Sequence, residues 1–180
     1  MNNTRKLVYT ALLAALTAAG AFMRIPMGYS SVTLQYLFTA MAGLLLGRKW
    51  GALSQLIYVC LGLVGLPIFT MGGGFGYVFQ PTFGFLLGLI PAAWVVGAAA
   101  GESLDPRRMA LASLAGLAVL YAVGLPYMAM ILNGYMGKGM GLSAILWAGM
   151  LPFLPGDALK ILVTALLTPP IRRALDNSAK

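Results

Sequence analysis

Long apolar runs broken by short polar stretches dominate the chain, and the runs are spaced as helices rather than strands. A bilayer span needs about 20 apolar residues, within a range of about 17–25. The pattern predicts helix 1 at Leu7–Met23, helix 2 at Val32–Gly47, helix 3 at Trp50–Leu66, helix 4 at Phe83–Gly101, helix 5 at Met109–Leu132 and helix 6 at Asp157–Ile171. Helix 2 is short for a full crossing, and Pro126 should kink or end helix 5. The apolar stretch Gly141–Leu154 is too short to cross and ends near a proline, so an interfacial or re-entrant helix is expected there. The expected fold is a single all-α integral membrane domain over residues 1–180, with six transmembrane helices.

The polar breaks carry the charge. Arg5 and Lys6, Arg48 and Lys49, Arg107 and Arg108, and Arg172, Arg173 and Lys180 fall at every second break, whereas the other breaks hold only Arg24 and Lys138. This alternation predicts that both termini are cytoplasmic. The N-terminal run could pass for a secretory signal, but five further segments follow and it reads as a retained first span.

Composition agrees with that picture. The chain is 60% hydrophobic and 9% charged, against roughly 45–50% apolar and about 25% charged in a soluble domain. The net charge of +8 comes from paired loop residues without interleaved aromatics, which argues against nucleic acid. A single cysteine, Cys60, excludes disulfides within one chain, and the lack of histidine removes the commonest metal ligand and general base. With four acidic residues and no nucleophile motif, an enzyme is not expected, and neither metal nor cofactor is implied. No phosphate-binding G-x-x-x-x-G-K-[ST] loop is present, so any coupled transport takes its energy from elsewhere.

Candidate chemistry concentrates in P-F-L-P-G-D-A-L-K (152–160), where Asp157 and Lys160 stack on one helical face inside an apolar segment. The two charges either cap and neutralise one another or meet a ligand in a pocket near the outer surface. The loop between helices 3 and 4, 67–81, is uncharged and holds Gly72, Gly73, Gly74 and Gly76 beside Phe75, Tyr77 and Phe79. It is either a mobile external loop or a lid, since glycines let a backbone approach a ligand closely. The glycine-rich loop between helices 5 and 6 (Gly134, Gly137, Gly139, Gly141) is expected to close the same mouth from the other side. Gln80, ahead of Pro81 and Thr82, is a loop residue or a ligand contact, and Gln35 and Gln55 suit hydrogen bonds between helices. Tyr121 and Tyr127 flank Gly124 and either line a pocket or pack. Ala11, Ala15 and Ala19 form a small-residue stripe along helix 1, suited to packing within the bundle or to docking a second membrane protein.

Taken in order, A-L-T-A-A-G-A-F-M-R-I-P (15–26), V-T-L-Q-Y-L-F (32–38), M-A-G-L-L-L-G-R-K-W-G-A-L-S-Q (41–55), G-L-V-G-L-P-I-F-T-M-G-G-G-F-G (62–76), Q-P-T-F-G-F-L-L-G (80–88) and P-F-L-P-G-D-A-L-K (152–160) resemble the BioY family, the biotin-binding S components of energy-coupling-factor (ECF) vitamin importers. The resemblance implies six helices around one biotin near the outer face of a prokaryotic plasma membrane. It also implies that the alanine stripe docks on a transmembrane coupling subunit driven by two cytoplasmic ATPases. By position it makes Asp157 and Lys160 polar ligands for biotin and puts the 72–76 glycines, Gly73 and Gly74 among them, and Gln80 to Phe83, Thr82 included, in the binding wall. Tyr77 and Tyr121 join them as ligand-binding candidates from the reading of the residues. Many members carry P-T-G-G-Y after the lid, where this chain has Phe83, Gly84, Phe85 and Leu86. That departure leaves Lys160, Gln80, Arg24 and Lys138 as candidates for the biotin carboxylate, with Lys160 preferred. An S component for another vitamin and a small homo-oligomeric channel are the competing readings.

Overall fold

The structure, a computed structural model, describes residues 3–177, so Lys180 lies outside the described residues. Eight main elements follow one another: α1 (Asn3–Phe22), β1 (Arg24–Met27), β2 (Ser30–Thr33), α2 (Gln35–Val64), α3 (Phe83–Ala100), α4 (Pro106–Ala129), α5 (Leu142–Gly149) and α6 (Leu154–Asn177). Short 3-10 turns at Phe75–Phe79 and Leu151–Phe153 and a wide π turn at Met130–Tyr135 complete the path.

Predicted helices 2 and 3 are the two arms of α2, which doubles back at Gly47 (φ 76°, ψ 178°). That backbone region is open essentially to glycine alone, so one residue makes the hairpin without a loop. The arms then lie backbone to backbone: a Cβ on Gly51 would stand 2.8 Å from the Ala42 carbonyl oxygen. The same closeness carries the hairpin onto α3, where a Cβ on Gly43 would meet the Ala93 oxygen at 2.5 Å.

Polar groups hold these contacts in register. Gln55, fully buried, accepts from Thr39 Oγ1 (3.0 Å) in the other arm and donates to Thr17 Oγ1 (3.3 Å) in α1. Gln35 donates to Tyr58 Oη at 2.8 Å across the hairpin. An apolar surround gives such bonds no water to compete with, so both glutamines act as expected between helices.

Among the described residues, three stretches are long and apolar enough to cross a membrane: Phe83–Ala100, Pro106–Tyr135 and Leu142–Leu175. Several boundaries differ from the sequence pattern. Pro126 does not end α4, which runs on to Ala129 and passes into the π turn. Helix α4 starts earlier than predicted, because Asp105 caps it by accepting from the Arg107 N–H at 3.1 Å with Pro106 in the first turn. Helix α6 begins at Leu154 and continues through Pro169 and Pro170 to Asn177. The short helix expected before it is α5. The β1–β2 hairpin was not predicted: Arg24 pairs with Thr33 and Met27 with Ser30 around a two-residue turn in which Gly28 has φ 62°.

Arg172, Lys6 and Arg48 gather at one end. Arg172 Nη1 donates to the Gly101 carbonyl at 3.0 Å and to those of Leu44 and Ser103 at 3.5 Å. A cation there meets the carbonyl ends of α3 and of the first α2 arm, where helix dipoles favour positive charge. Lys6 and Arg48 line the same recess.

Replacing Gly47 by Ala should cost about 1–3 kcal/mol through forced backbone strain and lower the melting temperature in detergent by several degrees. Gly134→Ala, where a Cβ meets nothing within 4 Å, should melt with the wild type. Equal melting of the two variants would contradict the single-residue hairpin.

Candidate functional site

At the end of the bundle away from the basic recess, a cavity of about 360 Å³ opens between the β1–β2 hairpin, the first turns of α2 and α3, mid-α4 and the start of α6. Its inner wall is built from buried residues, among them Tyr36, Leu86, Leu89, Leu120 and Tyr121. Its mouth is lined by exposed ones, among them Arg24, Tyr29 and Met71.

Asp157 and Lys160 lie on the inner wall at 4% and 7% exposure. One helical turn apart on α6, they form a salt bridge of 2.7 Å between Lys160 Nζ and Asp157 Oδ1. Tyr121 Oη donates to the other carboxylate oxygen, Asp157 Oδ2. A charge at membrane depth costs about 2.5–3.5 kcal/mol on insertion scales, so the pair and the phenol together offset a penalty neither charge could carry alone. Capacity is left over: a carboxylate offers about four lone-pair sites and an ammonium three donors. The group can therefore accept from a ligand N–H and donate to a ligand carbonyl at once.

Of the residues singled out from sequence, Asp157, Lys160, Tyr121, Thr82, Gln35 and Arg24 line this cavity. Gly73, Gly74, Tyr77 and Gln80 do not; they belong to the scaffold of the 65–82 loop. The Gly74 N–H donates to the Gly62 carbonyl at 2.7 Å, and a Cβ on Gly73 would stand 2.0 Å from the Leu66 oxygen. Tyr77 is buried and shares a 3.1 Å hydrogen bond with Thr70 Oγ1. The Gln80 N–H closes a turn onto the Tyr77 carbonyl at 2.9 Å. The loop is a packed roof, because Phe69 and Tyr77 stack in series between Tyr58 and Phe83, with centroids 4.7–6.4 Å apart. Tyr127 ties it to α4 by donating to the Val78 carbonyl at 2.6 Å. Only Thr70 and Met71 of its outer stretch reach the cavity.

The opposite side of the mouth is the β1–β2 hairpin, not the glycine-rich 134–141 loop, none of whose glycines lines the cavity. Sequence reasoning missed this hairpin and with it Tyr29, Ser30, Ser31 and Thr33. The signal was present: I-P-M-G-Y-S-S-V-T places a glycine in a two-residue turn between β-branched residues. Tyr36 and Phe153, also in the lining, sit on helical faces that look like ordinary packing. Ala11, Ala15 and Ala19 are exposed along one line of α1, while Ala14 on the neighbouring line is buried.

A helical bundle with membrane-length apolar helices and one end opened into a pocket with a buried charged pair defines a membrane-type ligand-capture protein. Comparison with known proteins makes the class specific. A solved structure of the S-component for biotin from an ECF-type ABC transporter superposes with a TM-score of 0.83 at 25% identity, covering 96% of this chain and 95% of that one. "Probable biotin transporter BioY" of Lysinibacillus sphaericus is 42% identical over 92% of this chain and 85% of its own length. Biotin transporter BioY of Thermotoga maritima is 34% identical over 91% of this chain and 93% of its own length. The BioY family model matches residues 1–177, and the chain belongs to the BioY family.

Asp157→Ala leaves the Lys160 ammonium buried without a counter-charge and should cost about 3–5 kcal/mol. Asp157→Ala combined with Lys160→Met should recover most of that loss, read as melting temperature in detergent. A double variant no more stable than the single one would show that the pair is not what sets the cost.

Proposed function

We propose that this protein is the substrate-binding S component of an ECF-type importer and that its substrate is biotin. The observation that carries the reading is the buried Asp157–Lys160–Tyr121 group facing a largely apolar cavity, in a chain of the BioY family. Biotin presents two ureido N–H donors, a carbonyl acceptor, an apolar thioether ring and a carboxylate. A few convergent polar groups in an apolar pocket suit such a molecule. Asp157 accepts from a ureido N–H, Lys160 donates to the ureido oxygen, and Tyr36, Phe85 and Leu89 enclose the ring. The protein binds and releases its substrate without chemistry, and needs no cofactor of its own.

In this reading the chain crosses a prokaryotic plasma membrane six times, through α1, the two arms of α2, α3, α4 and α6. The basic end is cytoplasmic and the cavity faces outward, in keeping with the positive-inside rule. Energy comes from two cytoplasmic ATPases acting through a transmembrane coupling subunit. The exposed line Ala11, Ala15 and Ala19 is the face on which that subunit docks, since small residues let a second helix approach closely.

Titration of the purified chain with biotin and with other vitamins tests the substrate: biotin alone should give saturable heat at one site per chain. Asp157→Asn should reduce biotin affinity by about tenfold or more, the worth of one charge-assisted bond. Phe75→Ala and Phe79→Ala, on the exposed face of the roof, should change it little. Saturable binding of a different vitamin in place of biotin would move the substrate within the same fold. Ala15→Trp should leave biotin binding intact and abolish uptake by the reconstituted importer; normal uptake would remove α1 from the docking face.

A further inference from the structure

Three formal charges line the cavity: Arg24, Asp157 and Lys160. The last two cancel, their atoms 2.7 Å apart at the buried end. A carboxylate brought to Lys160 meets Asp157 as well, and the like charge offsets the attraction. Lys138 and Gln80 line no part of the cavity. Arg24 is placed differently. It opens β1 opposite Thr33, is exposed at the mouth, and has no ion pair among the described residues. Its Nη1 donates to the Thr70 carbonyl, so the guanidinium spans from the hairpin to the aromatic roof. That bond uses one of five donors arranged in a fork that matches a carboxylate.

We infer that Arg24 is the residue that selects for the anionic end of the ligand. The cavity then has two chemically distinct ends. The neutral pair at the buried end reads a neutral hydrogen-bonding head group, and the uncompensated cation at the mouth receives a carboxylate at the end of a flexible tail. The net charge of +1 over the lining matches a monoanion. The inference rests on the proposed biotin reading and adds to it the group that distinguishes the free acid from uncharged derivatives. It replaces Lys160 as the preferred partner of the carboxylate.

The test is titration of the full chain in detergent with biotin and with biotin methyl ester, for wild type, Arg24→Gln and Arg24→Lys. Wild type should prefer the acid by roughly tenfold, as expected for one charge-assisted contact. In Arg24→Gln the acid should weaken by about that factor while the ester stays within about twofold, so the preference disappears; Arg24→Lys should keep part of it. Ester binding by the Gln variant reports that its pocket is intact. Equal weakening of both ligands would make Arg24 a strut between hairpin and roof and overturn the assignment. A wild type that binds acid and ester equally would overturn it too while leaving the biotin reading in place. A wild type that binds neither would remove that reading and the inference with it.

Discussion

A carboxylate and an ammonium held out of water inside an apolar bundle set the terms for the rest of this protein. Each charge alone costs several kcal/mol to desolvate, and their attraction repays this only when geometry and further hydrogen bonds are good. The i, i+3 spacing on α6 supplies the geometry, and Tyr121, projecting from α4, supplies the further bond. The arrangement therefore couples two helices that the chain separates by a π turn, a loop and α5. It also leaves unused donor and acceptor capacity facing a cavity, which a solely structural ion pair would have no reason to keep.

Holding that group in place requires a rigid surround built from very few polar atoms. Glycine supplies part of it, because backbone can then meet backbone without intervening side chains: Gly51 against Ala42 and Gly43 against Ala93 bring both arms of α2 and α3 into direct contact. Gln55 and Gln35 pin the register with bonds that lipid does not weaken. At the basic end Arg172 gathers the carbonyl ends of two helical segments. The aromatic series Tyr58, Phe69, Tyr77 and Phe83 fixes the roof from within. The glycines beside it serve the turns of the roof rather than the cavity.

The helices were legible because apolar run length is a direct record of what a bilayer requires, and Asp157 and Lys160 stood out as charges where charge is costly. Boundaries were less so: Pro126, Pro169 and Pro170 sit inside α4 and α6 rather than ending them. The 72–76 glycines line no part of the cavity, and from sequence a glycine that permits close approach to a ligand and one that permits a tight turn look alike. The β1–β2 hairpin escaped notice because its strands are only four residues each and fall within the short break between two long apolar runs. Arg24 was visible as a charge, but its place at the cavity mouth depends on that hairpin.

The central claim is that the Asp157–Lys160 group holds biotin. Native mass spectrometry of the protein purified in detergent from biotin-fed cells tests it most directly. The account predicts one retained biotin per wild-type chain, displaced by excess labelled biotin, and a smaller retained share in the Asp157→Asn chain. A wild type without bound biotin that also fails to take it up when added, or an Asp157→Asn chain that retains it as well as wild type, would contradict it.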